Sequence, residues 1–218
     1  MTVETALRDE ICRVGRSLFG RGYVHSTAGN ISVRLDDGGF LITPTDACLG
    51  FLDSSALARI DASGQQTAGE RASKTLSLHQ SIYAADSQAR CVIHTHSTHL
   101  VALSLLGGAA PDEFLPPITP YFVMKVGRVP LIPYHRPGDA AVAELVTQSI
   151  RRAQERGATI RAVMLARLGP TVWHQTPAGA MATLEELEET ARLWLLSRAG
   201  PLGAQQIDEL RENFGARW

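Results

Sequence analysis

The most constraining feature of this sequence is the alternation of paired, strand-like runs with longer helical segments. Asp37-Gly38-Gly39 separates two short apolar runs and predicts a hairpin, and Ser63-Gly64 predicts a second one. Helical spacing of apolar residues predicts helices at residues 3–19, 72–85, 97–106, 139–156, 178–199 and 204–213. Hairpins interleaved with helices predict an α/β fold with three layers, in which helices flank a mixed, mostly antiparallel central sheet.

The second half of the chain gives three more specific expectations. Residues 121–133 carry several valines and are interpreted as extended strands interrupted at Gly127. Gly169-Pro170 predicts a turn between two further strands. The acidic residues within 185–189 are interpreted as lying near the start of the last long helix, where they would complement its dipole.

Length and composition limit the class of protein. All 218 residues are expected to form one domain, because 44% are hydrophobic and no linker divides the chain. A net charge of -1 with mixed signs argues against nucleic-acid binding, and no apolar run reaches the roughly 20 residues that cross a membrane. Cys12, Cys48 and Cys91 form no Cys-x-x-Cys pair, so we expect free thiols in a reducing, cytoplasmic compartment.

The first candidate for chemistry is the segment His94-Thr95-His96, which follows an apolar run. Residues two apart in an extended backbone project to the same face, so His94 and His96 can reach one ion. Neutral imidazoles are preferred ligands of zinc and similar divalent metals. The alternative is a pair of strand-end histidines that are hydrogen-bonded to nearby backbone.

The other five histidines carry weaker signals. His79 shares a helical stripe with apolar residues and is expected in the core, and His99 is expected at a helix start. His25, His135 and His174 could each complete a metal shell, although surface or structural roles are favoured for each.

Three polar loops share hydroxyl groups, flexible backbone amides and one nearby lysine. They are Ser26–Asn30, Thr43–Asp46 and Ala72–Lys74. Together they could cradle a phosphate, because turns of successive amides and helix N-termini bind anions. Taken singly, each loop is only a turn with capping residues.

Several motifs occur in order along the chain. They are Ser26-Thr27-Ala28-Gly29-Asn30-Ile31-Ser32, Ile42-Thr43-Pro44-Thr45, and Val92-Ile93-His94-Thr95-His96-Ser97 followed by Leu103-Ser104. Together they resemble the class II aldolase and adducin family, from about Leu7 to Arg198. The resemblance implies a nine-stranded type of antiparallel sheet between helices, a homotetramer with sites between subunits, and bound zinc or another divalent metal.

Two further segments narrow the resemblance to one branch of the family. They are the proline-containing stretches 115–127 and 133–139. They are similar to the branch that converts 3-oxo-tetronate 4-phosphate into dihydroxyacetone phosphate and carbon dioxide. The resemblance therefore implies a metal-dependent carbon–carbon lyase acting on a phosphorylated sugar acid. Two alternatives are a sugar-phosphate aldolase and a catalytically impaired member that serves as a binding or structural module.

The resemblance also assigns residues. His94 and His96 match two of the family's three metal histidines, and Tyr121 matches a tyrosine that reaches a neighbouring subunit's site. The positions that match the surroundings of the phosphate are Asn30, Thr45, Ser73 and Lys74. Tyr121 or a metal-bound water is our hypothesised proton donor.

Two positions depart from the family pattern. The acid/base glutamate falls at Thr75, and the third metal histidine falls at Leu168. Threonine does not titrate near neutral pH, and leucine has no lone pair to donate. Decarboxylation needs no base to remove a carbon-bound proton, so the first change should harm a decarboxylase less than an aldolase. His174, beyond a predicted turn, is a speculative substitute for the missing ligand.

Overall fold

A computed structural model describes residues 2–218 and places a single sheet at the centre of the chain. The strands are β1 (Asn30–Arg34), β2 (Phe40–Ile42), β3 (Ala58–Ile60), β4 (Gln66–Ala68), β5 (Cys91–His94), β6 (Leu131–Ile132), β7 (Ala162–Leu165) and β8 (Gly169–His174). Their order is β4-β3-β2-β1-β5-β8-β7-β6, and only β6 and β7 pair in parallel. The mixed, mostly antiparallel sheet is confirmed, with eight strands in residues 2–218 rather than nine.

Helices cover both faces of this sheet. They are α1 (Val3–Gly20), α2 (Leu76–Ala85), α3 (Thr98–Leu106), α4 (Pro120–Lys125), α5 (Ala140–Glu155), α6 (Pro177–Ser197) and α7 (Ala204–Phe214). One buried cluster joins α1, α3, α4 and α6 to one face, and a second joins α2 and α5 to the other, which confirms the three layers. No helix within residues 2–218 combines the length and apolar character needed to cross a bilayer.

The extended strands expected at residues 121–133 are a wrong prediction. Most of that segment is α4 and the loop after it, and only Leu131–Ile132 pairs as a strand. Thr119 caps α4 by accepting a hydrogen bond from the Phe122 amide at 3.1 Å, and Pro120 occupies the first turn. The valines are spaced by three, which suits one side of a helix better than strand alternation.

The turn expected at Gly169-Pro170 is also displaced. The loop between β7 and β8 is residues 166–168, and Gly169 already pairs with Leu165. A Cβ atom on Gly169 would lie 1.9 Å from the Thr95 carbonyl oxygen, at a φ of 144°. Glycine is therefore required here by the close approach of two backbones, not by the turn.

The acidic residues within 185–189 do not complement the dipole of α6. That helix begins at Pro177, capped by Thr176, whose hydroxyl accepts from the Gly179 amide at 3.0 Å. The acidic residues lie two to three turns further on, where the dipole of their own helix has little effect. One of them, Glu188, accepts hydrogen bonds from amides at the start of a different helix, α3.

Candidate active site at the ends of the central strands

Three neighbouring strands bring the predicted histidine site together. His94 ends β5, and it lies opposite Asn30 at the start of β1 and opposite Thr171 on β8. Because both pairings are antiparallel, the beginnings of β1 and β8 meet the end of β5 at one end of the sheet. Gly29 packs there with a φ of 85°, and a Cβ on it would lie 2.8 Å from the His94 carbonyl oxygen.

The His94 ring is buried and fixed by hydrogen bonds on one side. Its Nδ1 lies 2.9 Å from the Pro170 carbonyl oxygen and 3.1 Å from the Thr171 hydroxyl. The carbonyl can only accept, so Nδ1 carries the proton and Nε2 keeps its lone pair. Burial lowers the pKa of His94 to about 3, with a smaller contribution from His96. The imidazole is therefore neutral at physiological pH, as a metal ligand must be.

The two rings of the motif lie side by side. The His94 and His96 ring centres are 5.2 Å apart, and burial followed by the charge of His25 lowers the pKa of His96. Two imidazoles bound to one tetrahedral zinc at the usual distance have ring centres about 5 Å apart. The pair therefore fits a shared divalent ion, although no group of three or more His, Cys, Asp or Glu side chains among residues 2–218 forms a metal site as it stands.

Three buried polar side chains next to the site are linked by hydrogen bonds. Ser32 Oγ lies 2.7 Å from His79 Nδ1 and 2.7 Å from the Tyr83 hydroxyl. Burial lowers the pKa of His79 to about 3, with a further contribution from His94. Its Nε2 and the Oδ1 of Asn30 are buried without a hydrogen-bond partner in the described chain. The core position expected for His79 is confirmed, and the orphaned atoms leave polar capacity for a ligand.

The three polar loops converge at the same end of the sheet. The Ile31 amide donates to the Thr43 hydroxyl at 3.2 Å, and the Ser73 amide donates to the Thr43 carbonyl at 3.2 Å. The Thr45 amide donates to the Arg71 carbonyl at 2.9 Å, which ties the second loop to the third. The Asn30, Thr45 and Ser73 segments are thus joined by hydrogen bonds, and Lys74 is exposed beside them.

The two departures from the family pattern lie in one cavity. Thr75 and Leu168 both line it, together with Lys74, His135 and Asp139. Thr75 precedes α2, and its hydroxyl lies 3.0 Å from that of Ser73. Leu168 packs against the apolar cluster beneath α2 and α5. Sequence reasoning treated the two positions separately and missed that His135 borders both.

Two other predicted residues lie away from this site. Tyr121 is on α4 with 62% of its surface exposed, and it lines a different cavity with Tyr23 and Glu186. His174 pairs with Cys91 at the far end of β5, three residues along β8 from Thr171. Three residues of strand span about 10 Å, so the prediction that His174 replaces the missing metal ligand is wrong.

Glu188 is a structural residue that sequence reasoning missed. Its carboxylate is buried and accepts from the amides of His99 at 3.0 Å and Leu100 at 3.2 Å, and it lies 2.8 Å from His99 Nδ1. It therefore caps α3 from α6 and fixes the chain just after His96. The signal was available, because Glu188 falls on the same helical stripe as the buried Leu184.

The fold and the strand-end histidines define a protein of the class II aldolase type. The profile described as Class II Aldolase and Adducin N-terminal domain matches residues 9–195. The chain belongs to this family, as the motifs predicted.

Two relatives and one solved structure are similar to this chain over nearly its whole length. The chain is 52% identical, over the full length of both proteins, to the 3-oxo-tetronate 4-phosphate decarboxylase of Cupriavidus necator H16. It is 41% identical to the protein of the same name from Escherichia coli K12, over 96% of this chain and 97% of that one. The crystal structure of YgbL from Escherichia coli superposes with a TM-score of 0.88 at 40% identity, covering 96% of this chain and all of the other.

Proposed function

We propose that this protein is a metal-dependent decarboxylase that converts 3-oxo-tetronate 4-phosphate into dihydroxyacetone phosphate and carbon dioxide. The observation that carries the proposal is the full-length, 52% identity to a protein named for this activity. The paired rings of His94 and His96 and the converging polar loops support it, because they suit a divalent ion and a phosphate at one end of the sheet.

The reaction separates into a bond cleavage and a protonation. The bond between the carboxylate carbon and its neighbour breaks, and its electron pair moves toward the ketone oxygen. The neighbouring carbon is then protonated, which gives dihydroxyacetone phosphate. A divalent ion at His94 and His96, zinc by family analogy, supplies the positive charge that stabilises this electron shift.

The chain's own residues bind and orient the substrate in this proposal. Asn30, Thr45, Ser73 and Lys74 surround the phosphate, which places the charge of the lysine against that of the anion. Thr75 stands where the family has its acid/base glutamate and contributes only a hydroxyl. Tyr121 donates the proton to a neighbouring subunit's site, which its exposure on α4 permits.

The proposal extends to assembly and location. A homotetramer would bring the exposed Tyr121 of one subunit to the histidines of another, so the assembly would complete the site. We also propose that all 218 residues form one domain and that the protein is cytoplasmic. The free thiols of Cys12, Cys48 and Cys91 are compatible with that reducing compartment.

Carbon dioxide release from 3-oxo-tetronate 4-phosphate tests the function. We expect turnover by the unaltered protein and a loss of about a hundredfold or more in His94→Ala, since charge stabilisation of this kind is worth several kcal/mol. The Thr75→Glu, Leu168→His double variant restores the two family residues, and comparing its turnover with that of the unaltered protein tests whether the unaltered protein is catalytically impaired. Turnover by the double variant alone would refute the proposal in favour of a binding or structural role, and aldol cleavage without carbon dioxide release would indicate an aldolase.

A further inference from the structure

A third imidazole lies beside the histidine pair, from a different part of the chain. The His25 ring centre is 6.4 Å from that of His96, and the planes meet at 71°. His96 in turn lies 5.2 Å from His94. The His96 ring therefore lies close to both other rings.

The backbone around His25 is fixed, but its side chain is free to turn. Val24 is buried in the main core cluster, and the His25 carbonyl accepts a hydrogen bond from the Ala28 amide at 3.0 Å. The His25 side chain is exposed and makes no hydrogen bond or ion pair within residues 2–218. Reorienting it breaks no hydrogen bond or ion pair within residues 2–218, and the rotamer freedom that it loses costs roughly 1 kcal/mol or less.

The distance that His25 has to cover is small. Ring centres of two imidazoles on one zinc are about 5 Å apart, so the His25 ring needs to approach His96 by about 1 Å and to turn toward the ion that His94 and His96 would share. Rotation about the side-chain bonds of an exposed residue covers that distance easily. The three rings do not form a closed ligand set as they stand, and the approach of His25 would close it.

The position at which the family resemblance places a third ligand cannot serve here. Leu168 offers no lone pair and packs into the apolar cluster under α2 and α5. Catalytic zinc sites use three protein ligands and leave a fourth position for water or substrate, so a two-imidazole site is one ligand short.

We propose that His25 is the third metal ligand of this protein, in place of the histidine that the family has at the position of Leu168. The inference deepens the proposed function and rests on its metal requirement. A ligand at His25 would also join the metal directly to the Ser26–Asn30 loop, so that metal and phosphate would be held by one continuous segment.

Metal binding itself gives the test, measured as Co²⁺ affinity by competition with a chelator and as the visible absorption of the bound Co²⁺. We expect His25→Ala to weaken Co²⁺ binding by at least about tenfold, the scale of loss when groups that support a metal site are removed, and to change the spectrum. His174→Ala is the matched control and should change neither. Adding Thr75→Glu and Leu168→His to His25→Ala should restore affinity, and circular dichroism confirms that each variant is folded.

The outcomes separate this inference from the proposed function. Unchanged Co²⁺ affinity and spectrum in His25→Ala would overturn the inference, including the case in which His25 binds the substrate phosphate instead. The decarboxylase proposal would then be tested by carbon dioxide release alone. Co²⁺ binding that depends on His25, in a protein that releases no carbon dioxide, would support the inference and refute the function. An unaltered protein that binds no Co²⁺ would overturn the inference outright.

Discussion

Replacing Glu188 with alanine should destabilise the protein strongly, although the residue lies outside the proposed site. Only 4% of Glu188 is exposed, and its carboxylate satisfies two backbone amides at the start of α3. Hydrogen bonds to a charged group contribute about 1.5–3 kcal/mol each, and a buried donor left without a partner costs a similar amount. Glu188→Ala should therefore lower the free energy of unfolding by about 3 kcal/mol or more.

Equilibrium urea denaturation at fixed protein concentration measures this change. Glu189→Ala is the matched control, because its carboxylate is half exposed and within residues 2–218 pairs only with Arg192, at 3.4 Å. We therefore expect a change within about 0.5 kcal/mol. Glu188→Gln keeps one acceptor oxygen and should fall between the two alanine variants. The reasoning is refuted if Glu188→Ala and Glu189→Ala have the same midpoint and slope.

Two further predictions concern the backbone and the buried histidines. Gly169→Ala should lower the free energy of unfolding by more than about 2 kcal/mol in urea denaturation, because its Cβ would lie 1.9 Å from the Thr95 carbonyl oxygen. A Cβ on Gly200 would meet no atom of residues 2–218 within 4 Å, so Gly200→Ala should be nearly neutral, and equal effects of the two substitutions would contradict the reasoning. Burial lowers the pKa of His79 and of His94 to about 3. In the unfolded chain both pKa values return to about 6.5, so the protein takes up protons on unfolding when the pH is below 6.5. The free energy of unfolding, measured with a chelator present, should have its highest value above pH 6.5 and should fall by about 2 kcal/mol per histidine by pH 5. A free energy of unfolding that does not change over this pH range would contradict the neutral state of the two buried rings.

The parts of the fold that the sequence predicted are those with a local signal. The turn at Asp37-Gly38-Gly39 and the predicted helix start at residue 139, where Asp139 accepts a hydrogen bond from the Ala141 amide at 3.0 Å, each depend on residues that are close in sequence. The caps of α4 at Thr119 and Pro120 were equally local, but the valines that follow suggested strands. The error came from the period assigned to the apolar residues and not from tertiary contacts.

The parts of the site that the sequence could not predict depend on register and long-range packing. Strand alternation alone indicated that His94 and His96 share a face. That Asn30 lies opposite His94 follows from the β1–β5 register, which brings together residues 64 positions apart. His25 lies near His96 because of how its loop packs, and no local pattern predicts that distance. The helical stripe of α6 indicated that Glu188 is buried, but not that it contacts α3.

The shared cavity changes how the two family departures should be tested. Thr75 and Leu168 line the same space, so substitutions at these positions are expected to interact energetically. Leu168→His alone would place an imidazole against apolar neighbours, so it would combine a lost packing contact with an uncompensated polar group. Thr75→Glu alone would add the family's carboxylate to the cavity without the family's histidine beside it. Only the double variant restores both members of the family arrangement, and so only it separates lost chemistry from lost stability.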